Sequence, residues 1–440
     1  MKNRRIVITT FGSFGDIHPY VALARELSAR GHRPVIATSP LYREKLAAAG
    51  VEFHPTRPDF PGPDRMEEAA ELARRAVHPR TGGEFILKEY MLPATRDMYE
   101  DLIEVARGAD LLVSHVITYA APLVAEKLNL PWVSTVLAPI NFASVYDPPV
   151  PPQLPALVHP LRLLGRAPAL ARPFMQFLKG RLEHWSEPVA ELRAELGLRR
   201  VRHPIFEGQH SPYRVLALFS RLLAEPQPDW PPQTRVTGFC FYDRRDRPED
   251  APGLEPALAR FLDEGDPPVV FTLGSAAVFA AGDFYRDSVA AARALNLRAL
   301  LLTGDAAHNP LPAPLPEGVA AFEYAPFGEL LPRARAVVHQ GGVGTTAQVM
   351  RAGRPMLVVP HSHDQFDNGE RARRLGVART LPRGRYNSRR AAAELRRLLD
   401  DPSHAVNAAR VGERLRAENG VGNACDLIEE LLDRHPNAKH

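Results

Sequence analysis

Cysteine is nearly absent from this sequence. The two cysteines, Cys240 and Cys425, are far apart and match neither the spacing of a zinc site nor a Cys-x-x-Cys redox motif. So few cysteines exclude a disulfide-rich secreted scaffold and favour a chain that works in a reducing compartment. We therefore expect a cytoplasmic protein.

Long hydrophobic runs are also missing. No apolar stretch approaches the ~20 residues that a membrane-spanning helix needs. The opening, MKNRRIVITTFGSFGD, has only Ile6, Val7 and Ile8 as an apolar run between basic residues and a polar, glycine-containing stretch. That pattern is typical of a β-strand rather than a signal peptide.

Lysine is scarce, since six lysines are found among the 55 basic residues and arginine supplies the rest. The arginines are scattered among 51 acidic residues, so the formal net charge is only +4. They form no long basic block and are not interleaved with aromatic residues as in nucleic-acid-binding modules. We expect no nucleic-acid partner.

The pattern that is present indicates two α/β domains. The chain has 440 residues, which is too long for one ordinary hydrophobic core. Short β-rich runs alternate with helical stretches in both halves, and this alternation predicts parallel sheets with right-handed crossovers. We place the first domain at residues 1–238, a linker rich in charge at 239–256, the second domain at 257–415 and a C-terminal segment at 416–440.

Residues 148–210 interrupt the alternation with a proline-rich stretch. It predicts irregular helices over a cleft, and its apolar residues are candidates for contacts with a hydrophobic acceptor: Leu154, Leu157, Leu161, Phe174, Phe177 and Trp185. For about half of them, ordinary core packing is the better interpretation. Contact of this apolar, basic region with a membrane surface is a further interpretation.

Ligands of parallel sheets bind beyond the carboxyl ends of the strands, where loops lead into helices. The first such loop, TFGSFGDIHP, contains Gly12 and Gly15, followed by Asp16 and His18 just before a helix that we expect to begin at Pro19. Taken alone, Asp16 is best interpreted as a helix cap. The loop becomes a candidate site only together with others.

Two loops in the second half have residues suited to a phosphate. Gly274 and Ser275 leave a strand in FTLGSAA, although a plain turn is an equally good interpretation. The sharper motif is HQGGVGTTAQ, in which a strand ends and a helix begins. Glycines let the backbone approach an anion, and a helix N-terminus favours negative charge. The candidate residues of this motif are His339, Gln340, Gly341, Gly342, Gly344, Thr345 and Thr346. The motif is neither GxGxxG nor a P-loop.

A fourth loop, PHSHDQFDN, concentrates polar side chains at a strand end, which suits sugar hydroxyls. Its polar residues are His361, His363, Asp364, Gln365, Asp367 and Asn368. Histidine and aspartate are also metal ligands, but their spacing here matches no known site well. We predict no metal ligand in the chain.

These motifs resemble those of the two-domain, GT-B-fold family 1 glycosyltransferases over essentially the whole chain. The segments that support the resemblance are GSFGDIHPYVALARELSARGH, EYAPFGELLP, HQGGVGTTAQVMRAGRPMLVVP and HDQFDN. The sequence is most similar to the bacterial branch that contains the rhamnolipid rhamnosyltransferase and, more distantly, sterol glucosyltransferases. The resemblance implies two Rossmann-like domains that face each other across a cleft, with the C-terminal helix packed back on the N-terminal, acceptor-binding domain.

The resemblance also implies roles for residues near the acceptor. Asp16 falls where the family keeps its catalytic base, and His18 is a rival base on the same loop. His115 falls where plant members place the Asp that orients their catalytic His. This chain would therefore contain the same pair of residue types with their positions exchanged, Asp16 as the base and His115 beside it. A residue that lines the acceptor or is merely packed is an equally good interpretation of His115.

For the donor, the resemblance implies a UDP- or dTDP-sugar. Tyr324 falls at the ring that stacks on the base, and the Ala325 backbone reads the base edge. Gln348 sits where plant members use Glu on the ribose, and Asp364 and Gln365 fall at the pair that holds the sugar hydroxyls. Gly15, Gly274, Ser275, Gly341, Gly342, Gly344 and Thr345 complete the expected donor site.

One position departs from the family pattern. Members usually have a histidine directly before the Gly-Gly pair, but here that residue is Gln340, and His339 precedes it. Either His339 or Gln340 could therefore be the side chain that faces the pyrophosphate. We expect an inverting, metal-independent hexosyltransferase without a cofactor that acts on a hydrophobic small molecule or lipid. A nucleotide-sugar epimerase and a non-catalytic nucleotide-sugar-binding protein are the alternatives on the same fold.

Overall fold

The computed structural model describes residues 3–62, 65–244, 253–304, 308–311 and 314–435. Within these ranges the chain forms two parallel β-sheets, each flanked by helices. Part of the predicted linker (residues 245–252) and the end of the predicted C-terminal segment (residues 436–440) lie outside the described residues.

The first sheet has the strand order β3-β2-β1-β4-β5-β6-β7, and its neighbouring strands run parallel. Its strands are β1 (Arg5–Thr9), β2 (Arg33–Thr38), β3 (Glu52–Pro55), β4 (Leu111–His115), β5 (Trp132–Val136), β6 (Arg214–Ala217) and β7 (Thr234–Val236). The helices of this half are α1 (Phe14–Ala29), α2 (Arg43–Ala48), α3 (Met66–Ala76), α4 (Gly82–Glu84), α5 (Thr95–Ala106), α6 (Ala121–Lys127), α7 (Val158–Gly165), α8 (Pro168–Arg181) and α9 (Glu187–Glu195).

The second sheet has the order β10-β9-β8-β11-β12-β13, which is that of a doubly wound nucleotide-binding sheet. Its strands are β8 (Val269–Thr272), β9 (Ala299–Leu302), β10 (Val319–Phe322), β11 (Ala336–His339), β12 (Met356–Val358) and β13 (Ala378–Thr380). The helices that follow the first half are α10 (Pro256–Asp263), α11 (Gly274–Ala277), α12 (Phe284–Ala294), α13 (Phe327–Leu330), α14 (Val343–Ala352), α15 (Gln365–Arg374), α16 (Ser388–Asp400), α17 (Pro402–Arg416) and α18 (Gly420–Arg434).

The central strands of both sheets are short apolar runs because helices cover both of their faces. All residues of β4 and β8 are buried. Such strands have no alternation of polar and apolar residues, so the sequence predicts their positions but not the face to which each side chain points.

Helix α1 begins earlier than the sequence predicted. We expected its start at Pro19, but the helix begins at Phe14 and Pro19 lies inside it. Ser13 is the N-cap, and the carboxylate of Asp16 accepts hydrogen bonds from the Ser13 backbone N–H at 2.8 Å and from its hydroxyl at 3.2 Å. Asp16 and His18 are therefore on the helix rather than on the loop before it.

The chain passes between the two sheets twice, once after β7 and once between α17 and α18. Helix α18 packs against α1, and Arg30, the C-cap of α1, forms an ion pair with Glu429 at 2.7 Å. The two passages touch, because a Cβ atom added to Gly420 would lie 2.3 Å from the carbonyl oxygen of Phe239. Only glycine fits this contact between two backbones.

Within the described ranges, none of the helices combines the length and the apolar character that crossing a bilayer would require. The cytoplasmic location remains a prediction.

Candidate active site between the two sheets

The candidate residues gather where the strand order of each sheet reverses. In the first sheet, β1 and β4 are neighbours, and they lead to Asp16 and His115. In the second sheet, β8 and β11 are neighbours, and they lead to Gly274 and Gln340. This point of an open parallel sheet is where ligands bind.

The two loop systems meet across the cleft. A Cβ atom added to Gly344, in the first turn of α14, would lie 3.8 Å from the Cα atom of Gly15 in the first turn of α1. The helices α1 and α14 are in direct contact. The first turn that contains Asp16 therefore faces the glycine-rich loop of the second sheet.

Asp16 is a carboxyl group in a poorly solvated position. Burial raises its pKa to about 6, although the two hydrogen bonds from Ser13 favour the charged form and oppose the shift. Gly12 leaves the room that this carboxylate needs, because a Cβ atom there would lie 2.3 Å from Oδ2 of Asp16. A carboxyl group with this pKa is largely ionised at neutral pH and can accept a proton.

His115 ends β4 and is buried behind the first loop. Its ring lies 6.0 Å from the ring of Tyr20, and burial lowers its pKa to about 4, so it is neutral at physiological pH. Its Nδ1 atom has no hydrogen-bond partner among the described residues. The carboxylate of Asp16 is bonded to Ser13 instead, so the pairing of Asp16 with His115 stays a prediction.

His18 points to the side of α1 away from Asp16. Its ring stacks on Phe14 at 5.3 Å and meets the edge of Tyr242 at 5.5 Å. Burial, together with the positive charge of Lys45, lowers its pKa to about 3. These contacts separate the two candidate bases, and they favour Asp16 as the one that faces the cleft.

The structure separates Gln340 from His339. The Nδ1 atom of His339 accepts from the Gly341 backbone N–H at 3.1 Å, and its Nε2 atom lies 3.3 Å from the sulfur of Met356. Both ring nitrogens are thus directed into the domain, and burial lowers the pKa of His339 to about 3. A phosphate contact by the His339 side chain is incompatible with this orientation.

Gln340 lies among the glycines instead. A Cβ atom added to Gly274 would lie 2.4 Å from the Nε2 atom of Gln340, and one added to Gly342 would lie 3.0 Å from it. The same Nε2 atom lies 3.4 Å from the hydroxyl of Thr345. Its Oε1 atom is buried without a partner among the described residues. The amide is therefore the side chain that connects the loops after β8 and β11.

The turn before α14 is possible only with glycine. Gly341 has a φ of +91°, and a Cβ atom there would lie 2.6 Å from Cγ1 of Val358 and 2.9 Å from the carbonyl oxygen of Gln365. Gly342 is the N-cap of α14. The first N–H groups of this helix therefore point to the cleft without competition from a capping side chain.

The loop after β12 is fixed by Gln365, whose Oε1 accepts from the backbone N–H groups of His361 at 2.8 Å and Ser362 at 3.1 Å. Asp364 precedes α15. Burial, with a smaller contribution from the negative charge of Asp16, raises its pKa to about 7, whereas a hydrogen bond from Asn368 opposes the shift. The charge of Asp16 therefore acts on Asp364 across the cleft.

The remaining candidates surround these loops. Tyr324 follows β10 and is half-buried, Ala325 is buried behind it, and Gln348 is buried on α14. Ser275 lies in α11, directly after Gly274. These positions fit a ligand that extends from the glycine-rich loop along the second sheet.

Two further residues hold the site: Ser13 was not among the predicted ones, and Asn368 was predicted only as one of the polar residues of the fourth loop that suit sugar hydroxyls. The side-chain amide of Asn368 donates to the carbonyl oxygen of Gly341 at 2.9 Å and to the carboxylate of Asp364 at 2.7 Å. It therefore connects the loop after β11 with the loop after β12. Its spacing of four residues from Asp364 on one helix was the available signal. The role of Ser13 as an N-cap could have been recognised from its position three residues before the acidic Asp16.

The described ranges contain no cluster of three or more His, Cys, Asp or Glu side chains suited to a metal ion. In the fourth loop, the Nδ1 atom of His361 forms a hydrogen bond with the carbonyl oxygen of Val359 at 2.8 Å. His363 faces the other domain, since a Cβ atom added to Gly83 would lie 3.9 Å from its Nδ1 atom. Metal independence stays a prediction.

Comparison with known proteins agrees with this geometry. The sequence model of the Glycosyltransferase family 28 N-terminal domain matches residues 6–145, and that of the Erythromycin biosynthesis protein CIII-like, C-terminal domain matches residues 291–428. The chain is 34% identical to the O-mycaminosyltylonolide 6-deoxyallosyltransferase of Streptomyces fradiae over 99% of both chains.

More distant relatives extend the comparison. The chain is 28% identical to the Sterol 3-beta-glucosyltransferase of Aspergillus terreus over 98% of its own length but only 30% of that enzyme's. The solved structure of the glycosyltransferase VinC in complex with dTDP has a TM-score of 0.66 and 22% identity, and the match covers 98% of this chain and 100% of that one. This last likeness concerns the fold.

The two facing Rossmann-like domains define a GT-B nucleotide-sugar-dependent glycosyltransferase, as the sequence predicted. Within this class, the chain belongs to the family 1 glycosyltransferases, of the type that modifies natural products and sterols.

Proposed function

We propose that this enzyme transfers a sugar from a UDP- or dTDP-sugar to a hydroxyl group of a hydrophobic small molecule or lipid, with inversion at the anomeric carbon. The observation that carries the proposal is that the first turns of α1 and α14 adjoin across the cleft, where a Cβ atom added to Gly344 would lie 3.8 Å from the Cα atom of Gly15, the residue before Asp16. A base on one domain thereby faces the donor loop on the other.

Asp16 takes the proton of the acceptor hydroxyl as the oxygen attacks the anomeric carbon. Its pKa of about 6 makes it a better base than an ordinary carboxylate while it stays ionised at neutral pH. The bond between the anomeric carbon and the diphosphate oxygen breaks on the opposite face of the sugar. One displacement of this kind inverts the anomeric configuration.

The leaving diphosphate gains negative charge as its bond to the sugar breaks. Preorganised donors aimed at this charge supply the larger catalytic contribution. The groups suited to this task are the backbone N–H groups at the start of α14, the amide of Gln340 and the hydroxyls of Ser275 and Thr345. They support transfer without a divalent ion.

The remaining contacts concern the nucleoside and the sugar. Tyr324 and the Ala325 backbone suit a pyrimidine, and Gln348 suits the ribose. Asp364 and the amide nitrogen of Gln365 suit the sugar hydroxyls, since the oxygen of Gln365 is occupied by backbone N–H groups. The solved structure of VinC with dTDP supports a thymidine nucleotide as the first donor to test.

The test replaces Asp16 by Asn, which keeps an oxygen for the hydrogen bonds from Ser13. Acceptors are first screened with UDP- and dTDP-sugars by mass spectrometry, and the anomeric configuration of the product is determined by NMR. We expect at least a ~100-fold lower kcat for Asp16→Asn with unchanged affinity for dTDP or UDP. Asp401→Asn is the matched control, since Asp401 caps α17 on the surface.

A retained configuration, or an Asp16→Asn variant with unchanged turnover, contradicts the proposed mechanism. Conversion of the nucleotide sugar without any acceptor identifies an epimerase instead. Nucleotide binding without transfer or hydrolysis under any condition identifies a non-catalytic binding protein.

A further inference from the structure

The hairpin formed by α7 and α8 presents an unusual apolar surface to solvent. Of the ten exposed large hydrophobic residues in the described ranges, seven lie between residues 154 and 178, with exposed fractions between 39% and 67%. They are Leu154, Leu157, Leu163, Leu170, Phe174, Phe177 and Leu178. So much clustered apolar exposure marks an interaction site.

The exposed residues of α8 form one stripe. Leu170, Phe174, Phe177 and Leu178 follow the spacing of a single helix face, and this face is turned away from the protein. The helix packs through the adjoining face, where Ala171 is buried. The stripe is therefore a surface of the folded protein rather than part of its core.

The inner side of the hairpin is firmly held. A Cβ atom on Gly165 would lie 2.4 Å from the carbonyl oxygen of Val145, so α7 packs directly on this backbone. Arg162 forms an ion pair with Glu370 at 2.7 Å, and Lys179 forms one with Glu207 at 3.3 Å. These contacts fix the direction of the apolar stripe.

The hairpin segment itself has charge of only one sign, and the acidic side chains that it contacts, Glu207 and Glu370, belong to other parts of the chain. Residues 148–182 contain no aspartate or glutamate, although 51 of the 440 residues are acidic. The exposed basic residues of the hairpin are Arg166, Arg172 and Arg181. An apolar helix face flanked by arginines without acids complements an anionic lipid surface, in which apolar side chains enter the acyl boundary and basic ones meet the headgroups.

We propose that the α7–α8 hairpin docks this enzyme on an anionic membrane surface through Leu163 and the stripe of α8. A second copy of the chain fits this surface less well, because a two-fold contact would bring the acid-free hairpins of both copies together. Docking would place the entrance of the cleft near the bilayer, where hydrophobic acceptors accumulate.

The experiment measures co-sedimentation of the full chain with vesicles, in the absence of donor and acceptor. One set of vesicles contains equal parts of phosphatidylglycerol and phosphatidylcholine, and the other contains phosphatidylcholine alone. We expect at least ~10-fold tighter binding to the anionic vesicles and a loss of this preference in 0.5 M salt, because salt screens exposed charges.

Two variants test the surface. Phe174→Ser combined with Phe177→Ser should weaken vesicle binding at least ~10-fold. Val406→Ser is the matched control, because Val406 is 66% exposed on α17, far along the chain from the hairpin. A thermal shift on addition of dTDP shows that each variant is folded and retains its nucleotide site.

A second pair tests the charge. Arg166→Gln combined with Arg181→Gln should weaken binding to anionic vesicles roughly 5- to 30-fold. Arg389→Gln combined with Arg396→Gln on α16, where both arginines are exposed, should not. Equal binding to both kinds of vesicle, equal losses in the controls, or a wild-type protein that stays in the supernatant overturns the proposal.

Light scattering distinguishes self-association. A wild-type dimer that becomes monomeric in the Phe174→Ser, Phe177→Ser variant, without vesicle binding, shows that the stripe is a dimer contact and overturns membrane docking. None of these outcomes bears on the transfer reaction, since no donor or acceptor is present.

Discussion

Asp147 of the first domain forms an ion pair with Arg371 on α15 of the second domain. Arg371 is almost fully buried, and its Nε atom also donates to Asp367 at 2.7 Å. Asp367 in turn accepts from the backbone N–H of Val150 at 3.1 Å. Helix α15, which begins beside Asp364, is thereby fixed to the segment that follows β5.

The first prediction concerns this buried ion pair. Arg371→Gln leaves the fully buried carboxylate of Asp367 without its cation and removes one of the two arginines that pair with Asp147, the other being Arg374 at 3.0 Å, so it should lower the free energy of unfolding by about 3–5 kcal/mol. Arg373→Gln is the control, because the side chain of Arg373 is half-exposed and its ion pair with Glu370 contributes at most about 1 kcal/mol. Chemical unfolding measures both, and equal effects would show that Arg371 has no special role.

The second prediction concerns the pH dependence of turnover. A base with a pKa of about 6 must lose its proton to act, so kcat/KM should fall below pH 6. Ser13→Ala removes the hydroxyl that donates to Asp16 at 3.2 Å and favours its charged form. The acid limb of the profile of kcat/KM against pH should then shift to higher pH by roughly 0.5–1 pH unit.

Ser403→Ala, beside the surface cap Asp401, serves as the control for this shift. It should leave the acid limb in place. A profile that is identical in the wild type and in Ser13→Ala would assign the limb to a group other than Asp16.

The third prediction concerns stability. The pKa of Asp16 in the folded protein, about 6, exceeds the ordinary value of 3.8, so ionisation of this group opposes folding above pH 6 and not below pH 3.8. Asp16→Asn should therefore be more stable than the wild type by about 1–3 kcal/mol at pH 8. Unfolding curves at several pH values measure the gain, which should vanish near pH 4. A gain that is constant with pH would contradict this origin.

The fourth prediction concerns the turn at Gly341. Gly341→Ala places a Cβ atom against Val358 and Gln365 at a φ of +91°, so the turn has to move. We expect at least ~10-fold weaker binding of dTDP or UDP by calorimetry, together with a loss of about 1–3 kcal/mol of stability. Gly384→Ala is the control, because no atom lies within 4 Å of its Cβ position. Unchanged nucleotide affinity in Gly341→Ala would place the diphosphate elsewhere.

The sequence predicted the general location of the site because strand ends and glycine-rich loops are local features. It did not separate His339 from Gln340, because β11 is buried on both faces and has no alternating pattern. The helix start at Phe14 was missed because Pro19 resembles a first helical residue, whereas Ser13 is the cap.

Long-range features left no local signal. Asp147 and Arg371 are widely separated in the chain, and only the packing of the two domains brings them together. Strand β7 (Thr234–Val236) follows a proline-rich stretch and lies at the edge of its sheet, where burial is incomplete. Neither could be recognised from composition or periodicity.

The contact of Gly420 with the backbone at Phe239 has a mechanical consequence. Both connections between the domains run through this one place, so relative movement of the domains is a rotation about it. The parts of the cleft that lie far from this contact then move most. Gly420 is the position at which one added side chain would disturb both connections at once, without touching any reactant.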